Sequence, residues 1–216
     1  MNTPPSHASP PPSEHDPDPP PSSPDVITDI GRSLLASWHV LMGRSDAALA
    51  LFNLSAQGFW RSFLALPVAL PLYLLAVRMG LPAAAETETQ KAVLGFLLFK
   101  ATFMLALEWV AWIVVVALLL KPLELARHFG RYVIIYNWSS PLILALQAVP
   151  IFLYFNGLVT REAAIFIFLF LLGVALYLRW QNARIGLEAP GTLAMGFVLA
   201  DVLLSILVNR LIGGPL

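Results

Sequence analysis

The chain has 216 residues, 58% of them hydrophobic and 12% charged, with 13 Lys and Arg balanced by 13 Asp and Glu, and a mean hydropathy of +0.74. So little polar surface excludes a water-soluble globule of this size, and the balanced charge gives no support to bulk nucleic-acid binding. The lack of cysteine excludes disulfides, thiolate metal sites and a cysteine nucleophile.

Residues 1–24, MNTPPSHASPPPSEHDPDPPPSSP, are proline, serine and acid with almost nothing to bury. Such a segment cannot recover its ordering entropy by packing, and a disordered, extended tail is expected. Its start lacks a basic region followed by an apolar one, so no secretion signal is expected there. Residues 25–58 form the next region. DVITDIGRSLLASWHVLM places Val26, Ile30, Leu34, Trp38 and Leu41 at helical spacing, widened by Ile27, Leu35 and Met42, with Asp29, Arg32, Ser33 and Ser37 on the other side. Asp25 can cap this amphipathic helix and Gly43 can end it. It is expected either to lie on the membrane surface with Trp38 among the headgroups or to pack on the end of a helix bundle. Ser45 to Leu54 repeats the pattern more weakly.

Residues 59–212 hold five stretches that reach the roughly 20 apolar residues needed to cross a bilayer: Phe59 to Met79, Val93 to Leu120, Tyr132 to Phe155, Arg161 to Trp180 and Gly191 to Ile212. Pro67 and Pro71 are expected to bend the first. In the third, Ser139 or Ser140 is expected to cap a helix restarting at Pro141. The fold class is therefore all-α and polytopic.

With the amino terminus in the cytoplasm, that side carries Arg32, Arg44, Arg61, Lys121, Arg127, Arg131, Arg179 and Arg184, against Arg78, Lys91, Lys100, Arg161 and Arg210 opposite. The preponderance of basic residues inside favours this orientation, most clearly through the loop KPLELARHFGR, in a cell (inner) membrane.

Two carboxyls interrupt the apolar runs. Glu108 is eight residues from Lys100, and Asp201 is nine before Arg210 on a span running the other way. At about 1.5 Å per residue they are expected at a shared depth, about 12 and 14 Å below the outer face. Gln147 falls near the middle of the third span, and Ser205 and Asn209 continue a polar line from Asp201. A charge at mid-membrane is costly, so these groups are expected to face the bundle interior, with the acids neutral or hydrogen-bonded and without a buried base. Glu108, Gln147, Asp201 and Ser205 then form either a centre that binds a cation or relays a proton, or interhelical hydrogen-bond glue in which the indole of Trp112 satisfies Glu108.

Tyr73, Trp60, Tyr132, Tyr136, Trp138, Tyr177 and Trp180 near span ends are expected to be interfacial anchors, and Phe166, Phe168 and Phe170 to be lipid-facing or packing bulk. His39 and His128 are isolated, and no spacing of metal ligands occurs. Asn53-Leu54-Ser55 and Asn137-Trp138-Ser139 match the glycosylation pattern but fall on the expected cytoplasmic side. No phosphate loop, nucleophile elbow or dinucleotide fingerprint is present, and neither a cofactor nor an enzymatic activity is expected.

The lead-in to the third span, YVIIYNWSSPLI, and the turn joining the last two, LRWQNARIGLEAPGTLAMGF, together with the five-span layout and short tail, resemble the Yip family over roughly residues 50–212. Eukaryotic members act in vesicle traffic and contact Rab GTPases. Their acidic Asp-Leu-Tyr-Gly-Pro signature is missing from the cytoplasmic region, and no functional residue carries over. The resemblance implies a non-enzymatic scaffold or adaptor that meets the lipid bilayer and a membrane-protein partner or a second copy of itself. The expectation set against it is a small proton- or cation-coupled transporter or channel centred on Glu108, Gln147 and Asp201.

Overall fold

In the computed structural model, which describes residues 25–80 and 88–213, Asp25 accepts the Val26 N–H at 2.8 Å and opens α1 (Val26–Leu41). The proline-rich stretch 1–24 lies outside the described residues. Gly43, at φ 71°, takes the left-handed conformation that ends the helix and turns the chain into α2 (Ser45–Leu51). Ser55 caps α3 (Ala56–Ser62) by accepting from Gly58 N–H, and α4 (Ala65–Gly80) continues the same span. The expected bend at the prolines falls earlier. The helix breaks at Phe63 and Leu64, so Pro67 enters in the first turn of α4, where a missing N–H is least costly.

Next come α5 (Glu88–Leu120), a 3-10 turn at Ala126–His128 and α6 (Phe129–Phe155). The last two long helices are α7 (Arg161–Leu187), capped by the Thr160 hydroxyl, and α8 (Gly191–Val208), which widens into a π-helical turn at Asn209–Gly213. Five of these segments are long and apolar enough to cross a membrane, and no strand occurs among the described residues. The protein is an all-α integral membrane protein.

Two span boundaries differ from the sequence expectation. α6 does not restart at Pro141 but runs through it. Ser140 Oγ donates to the Tyr136 carbonyl at 2.9 Å instead of capping, and Ser139 Oγ donates to Asn182 Oδ1 at 3.0 Å. Packed neighbours make the proline tolerable there. α7 continues about two turns past Trp180, because Ala175, Leu178, Asn182 and Ile185 keep one buried face.

α6 is the axis of the fold, contacting α1, α3, α4, α5 and α7. Its segment from Tyr132 to Pro141 is buried on every side, so Tyr132, Tyr136 and Trp138 are core residues and not interfacial anchors. α5, α6, α7 and α8 touch in sequence and α8 returns to α5, forming a ring. α6 and α7 approach closely at Gly186, where an added Cβ would meet Tyr132 Cα at 2.8 Å. Phe96, Phe99, Leu118, Phe166 and Phe170 stand exposed on the outside, a surface that requires lipid.

α1 packs on α6 and α7 through a mixed face, unlike a helix that floats with all of its polar side in water. Asp29, Ser33, Ala36, Ser37, Val40 and Leu41 are buried, whereas Ile27, Leu35, Trp38 and Met42 face out. The inward face works because its residues are small or satisfied: Asp29 pairs with Arg61 at 3.2 Å, and Ser37 Oγ donates to the Ser33 carbonyl.

Candidate functional site

The ring of α5 to α8 borders a half-open cavity of about 250 Å³. Glu108 from α5, Gln147 from α6, and Asp201 and Ser205 from α8 all line it, with Tyr136 and Ser140 of α6 and Arg179 of α7. Helical spacing does this work. Asp201 and Ser205 are one turn apart on α8, and Tyr136, Ser140, Ile143 and Gln147 repeat at three or four residues along α6. The remaining wall is mostly aliphatic, from Leu105, Ile143, Leu144, Leu172 and Leu176.

At one end, Asn209 Nδ2 donates to Glu108 Oε1 at 2.6 Å and also to the Ser205 carbonyl at 3.0 Å. Ser205 Oγ makes a longer contact to the same Oε1 at 3.5 Å. Asn209 stands where the helix changes from α to π pitch. At the other end, Asp201 meets the Arg179 guanidinium, Nε to Oδ2 at 3.5 Å, and accepts from the Tyr136 hydroxyl at 3.3 Å. The Arg179 guanidinium carbon lies 3.8 Å from the Tyr136 ring centroid, a cation–π stack that fixes its plane. Arg179 and Asp201 are both about four-fifths buried.

Three sequence expectations are corrected. Glu108 is satisfied by Asn209 and Ser205 and not by Trp112, whose indole donates to the Tyr132 hydroxyl at 3.0 Å. The two carboxyls are not level: Glu108 is matched to residues four and eight positions beyond Asp201, an offset of about 6 to 12 Å along α8. A buried base is present, because Arg179, expected at the end of the fourth span, lies eight residues inside α7.

Arg179 and Tyr136 are the site residues that sequence reasoning missed. The available signal was the apolar face continuing at helical spacing through Ala175, Leu178 and Ile185, which carries the helix past Trp180 and Arg179 into the bundle. Among the described residues no three His, Cys, Asp or Glu side chains converge as metal ligands do. Comparison with known proteins finds no matching family, no matching curated protein and no matching solved structure.

Proposed function

We propose that the protein is a small proton-coupled carrier, non-enzymatic, whose solute and proton meet in the cavity between α5, α6, α7 and α8. One observation carries this reading: four polar residues singled out in the sequence, with Arg179, line a single half-open cavity. Hydrogen-bond glue between helices needs no accessible cavity, and a network built only to hold helices gains nothing from leaving one open beside two carboxyls and a guanidinium. Coupling to a proton fits better than coupling to a metal cation, since Arg179 already occupies the side of Asp201 that a cation would take. The amino-terminal helices are read as cytoplasmic, in a cell (inner) membrane, because Lys121, Arg127 and Arg131 crowd the connection between the second and third spans.

The test uses purified protein in vesicles with a pH-sensitive dye inside and a panel of small polar solutes outside. Solute-dependent proton entry is expected in wild type and lost when both cavity acids become amides, Glu108→Gln with Asp201→Asn, which keep the shape and hydrogen-bonding of neutral acids but cannot titrate. If the well-folded double variant matches wild type across the panel, the carboxyls are structural and the carrier reading fails.

A second reading, a membrane scaffold or adaptor of Yip-like type, is favoured by the outward apolar face of α1 and by Trp60, which is 73% exposed. On that reading these side chains meet a membrane-protein partner or a second copy of the chain instead of lipid.

A further inference from the structure

The Arg179–Asp201 pair is built loosely for two charges inside a bundle. A charge-assisted N–H···O bond closes to about 2.7–2.9 Å, and the contact here is 3.5 Å through Nε alone. Nη1 of Arg179 is buried and has no acceptor among the described residues, although a guanidinium offers a planar fork suited to two parallel bonds to one carboxylate. Tyr136 stacks under the guanidinium, so the fork is held while its partner is incomplete. Both ends of the pair line the cavity.

We propose that Arg179 takes the carboxylate of a small monoanionic solute in place of Asp201, and that Asp201 takes up a proton as the solute binds. The proposal rests on the carrier reading and names its substrate class. In the empty site Arg179 is positive and Asp201 negative. In the loaded site Arg179 is positive, the solute negative and Asp201 neutral, so one anion and one proton enter together and the charge of the site is unchanged. The groups facing Asp201 are Arg179 from α7, Tyr136 from α6, and, at longer range, Tyr132 of α6 and Glu108 of α5. Once the solute draws the guanidinium away, Asp201 keeps only phenol and carboxyl neighbours, an environment that favours its neutral form. One guanidinium matches one negative charge, and Glu108 across the cavity disfavours a second. At about 250 Å³ the space is below the range for drug-sized ligands. Ile143, Leu172 and Leu176 offer a short hydrocarbon body an apolar wall.

Calorimetric titration of the full-length protein in detergent with pyruvate, run in buffers of different ionisation enthalpy, counts the protons taken up. About one proton per carboxylate is expected below neutral pH. Arg179→Lys, which keeps the charge but loses the fork, is expected to weaken binding about tenfold or more. Asp201→Asn removes the competitor and the proton acceptor, so it is expected to bind pyruvate at least as tightly, with no proton uptake and no pH dependence. Wild-type binding without proton uptake, or unchanged uptake in Asp201→Asn, overturns the proposal. Binding of decanoate but not of pyruvate also overturns it, since the site would then take lipid carboxylates. In vesicles, solute-driven proton entry that ignores pyruvate defeats the proposal and leaves the carrier reading standing. Pyruvate binding with coupled proton uptake but no flux supports the exchange at Arg179 and defeats the carrier reading.

Discussion

At the scale of single residues, one amide holds three helices. Trp109 Nε1 of α5 donates to Asn137 Oδ1 at 2.7 Å, and Asn137 Nδ2 donates to Ser62 Oγ of α3 at 2.9 Å. Ser62 Oγ donates in turn to the Phe59 carbonyl, so every group in the chain has a partner, and Asn137 is fully buried. Leu fills much the same volume but leaves the indole N–H without an acceptor, at a cost of about 1–3 kcal/mol for each buried orphan. Asn137→Leu is therefore expected to lower the thermal midpoint in detergent by several degrees, and an unchanged midpoint would show that the network contributes no stability. In the sequence Asn137 stood out only as part of a glycosylation triplet, because a neutral amide near a span end is unremarkable until its neighbours are known. Glu108 and Asp201 were legible for the opposite reason: a carboxyl in an apolar run must find company inside the bundle. Which company it finds depends on the rotation and offset of other helices, and one sequence does not contain those.

At the scale of elements, apolar length and periodicity were enough to find the five spans, whereas helix ends and kinks depended on contacts made elsewhere. Pro141 reads as a break in isolation, yet α6 passes through it because five other helices pack around that axis. The direction of α1 was equally hidden. Its hydrophobic stripe suited either lipid or the bundle end, and the fold divides it: Leu41 is buried and Ile30 and Leu34 pack on the core, while Ile27, Leu35, Trp38 and Met42 stand outside. If that stripe meets lipid, spin labels at Leu35→Cys and Trp38→Cys, unique because the chain has no native cysteine, are expected to relax with oxygen dissolved in the membrane far more than with a water-soluble reagent. A label at Ala36→Cys, a position with no exposure, should be shielded from both or unfold the protein. Protection of positions 35 and 38 from both reagents in native membranes but not in detergent would instead favour a protein partner on this face, as the scaffold reading requires.

At the scale of the whole molecule, orientation is a sum over charges, and the ion pairs change the sum. Eight basic residues were counted on the amino-terminal side against five opposite. Arg179 is removed by its burial beside Asp201, which leaves seven against five, and Arg61 is partly neutralised by Asp29. What remains decisive is the connection between α5 and α6, where Lys121, Arg127 and Arg131 lie within eleven residues, close enough to the span ends to resist translocation. Single cysteines at Leu123 in that connection and at Leu158 between α6 and α7, both exposed, test it directly. With α6 crossing once, an impermeant maleimide added to intact cells is expected to label Leu158→Cys and spare Leu123→Cys until the membrane is opened. The reverse pattern would invert the molecule and the side from which Asp201 receives its proton. Labelling of both positions from outside would mean that α6 does not cross, and the cavity, which needs α6 as a wall, would no longer lie between spans.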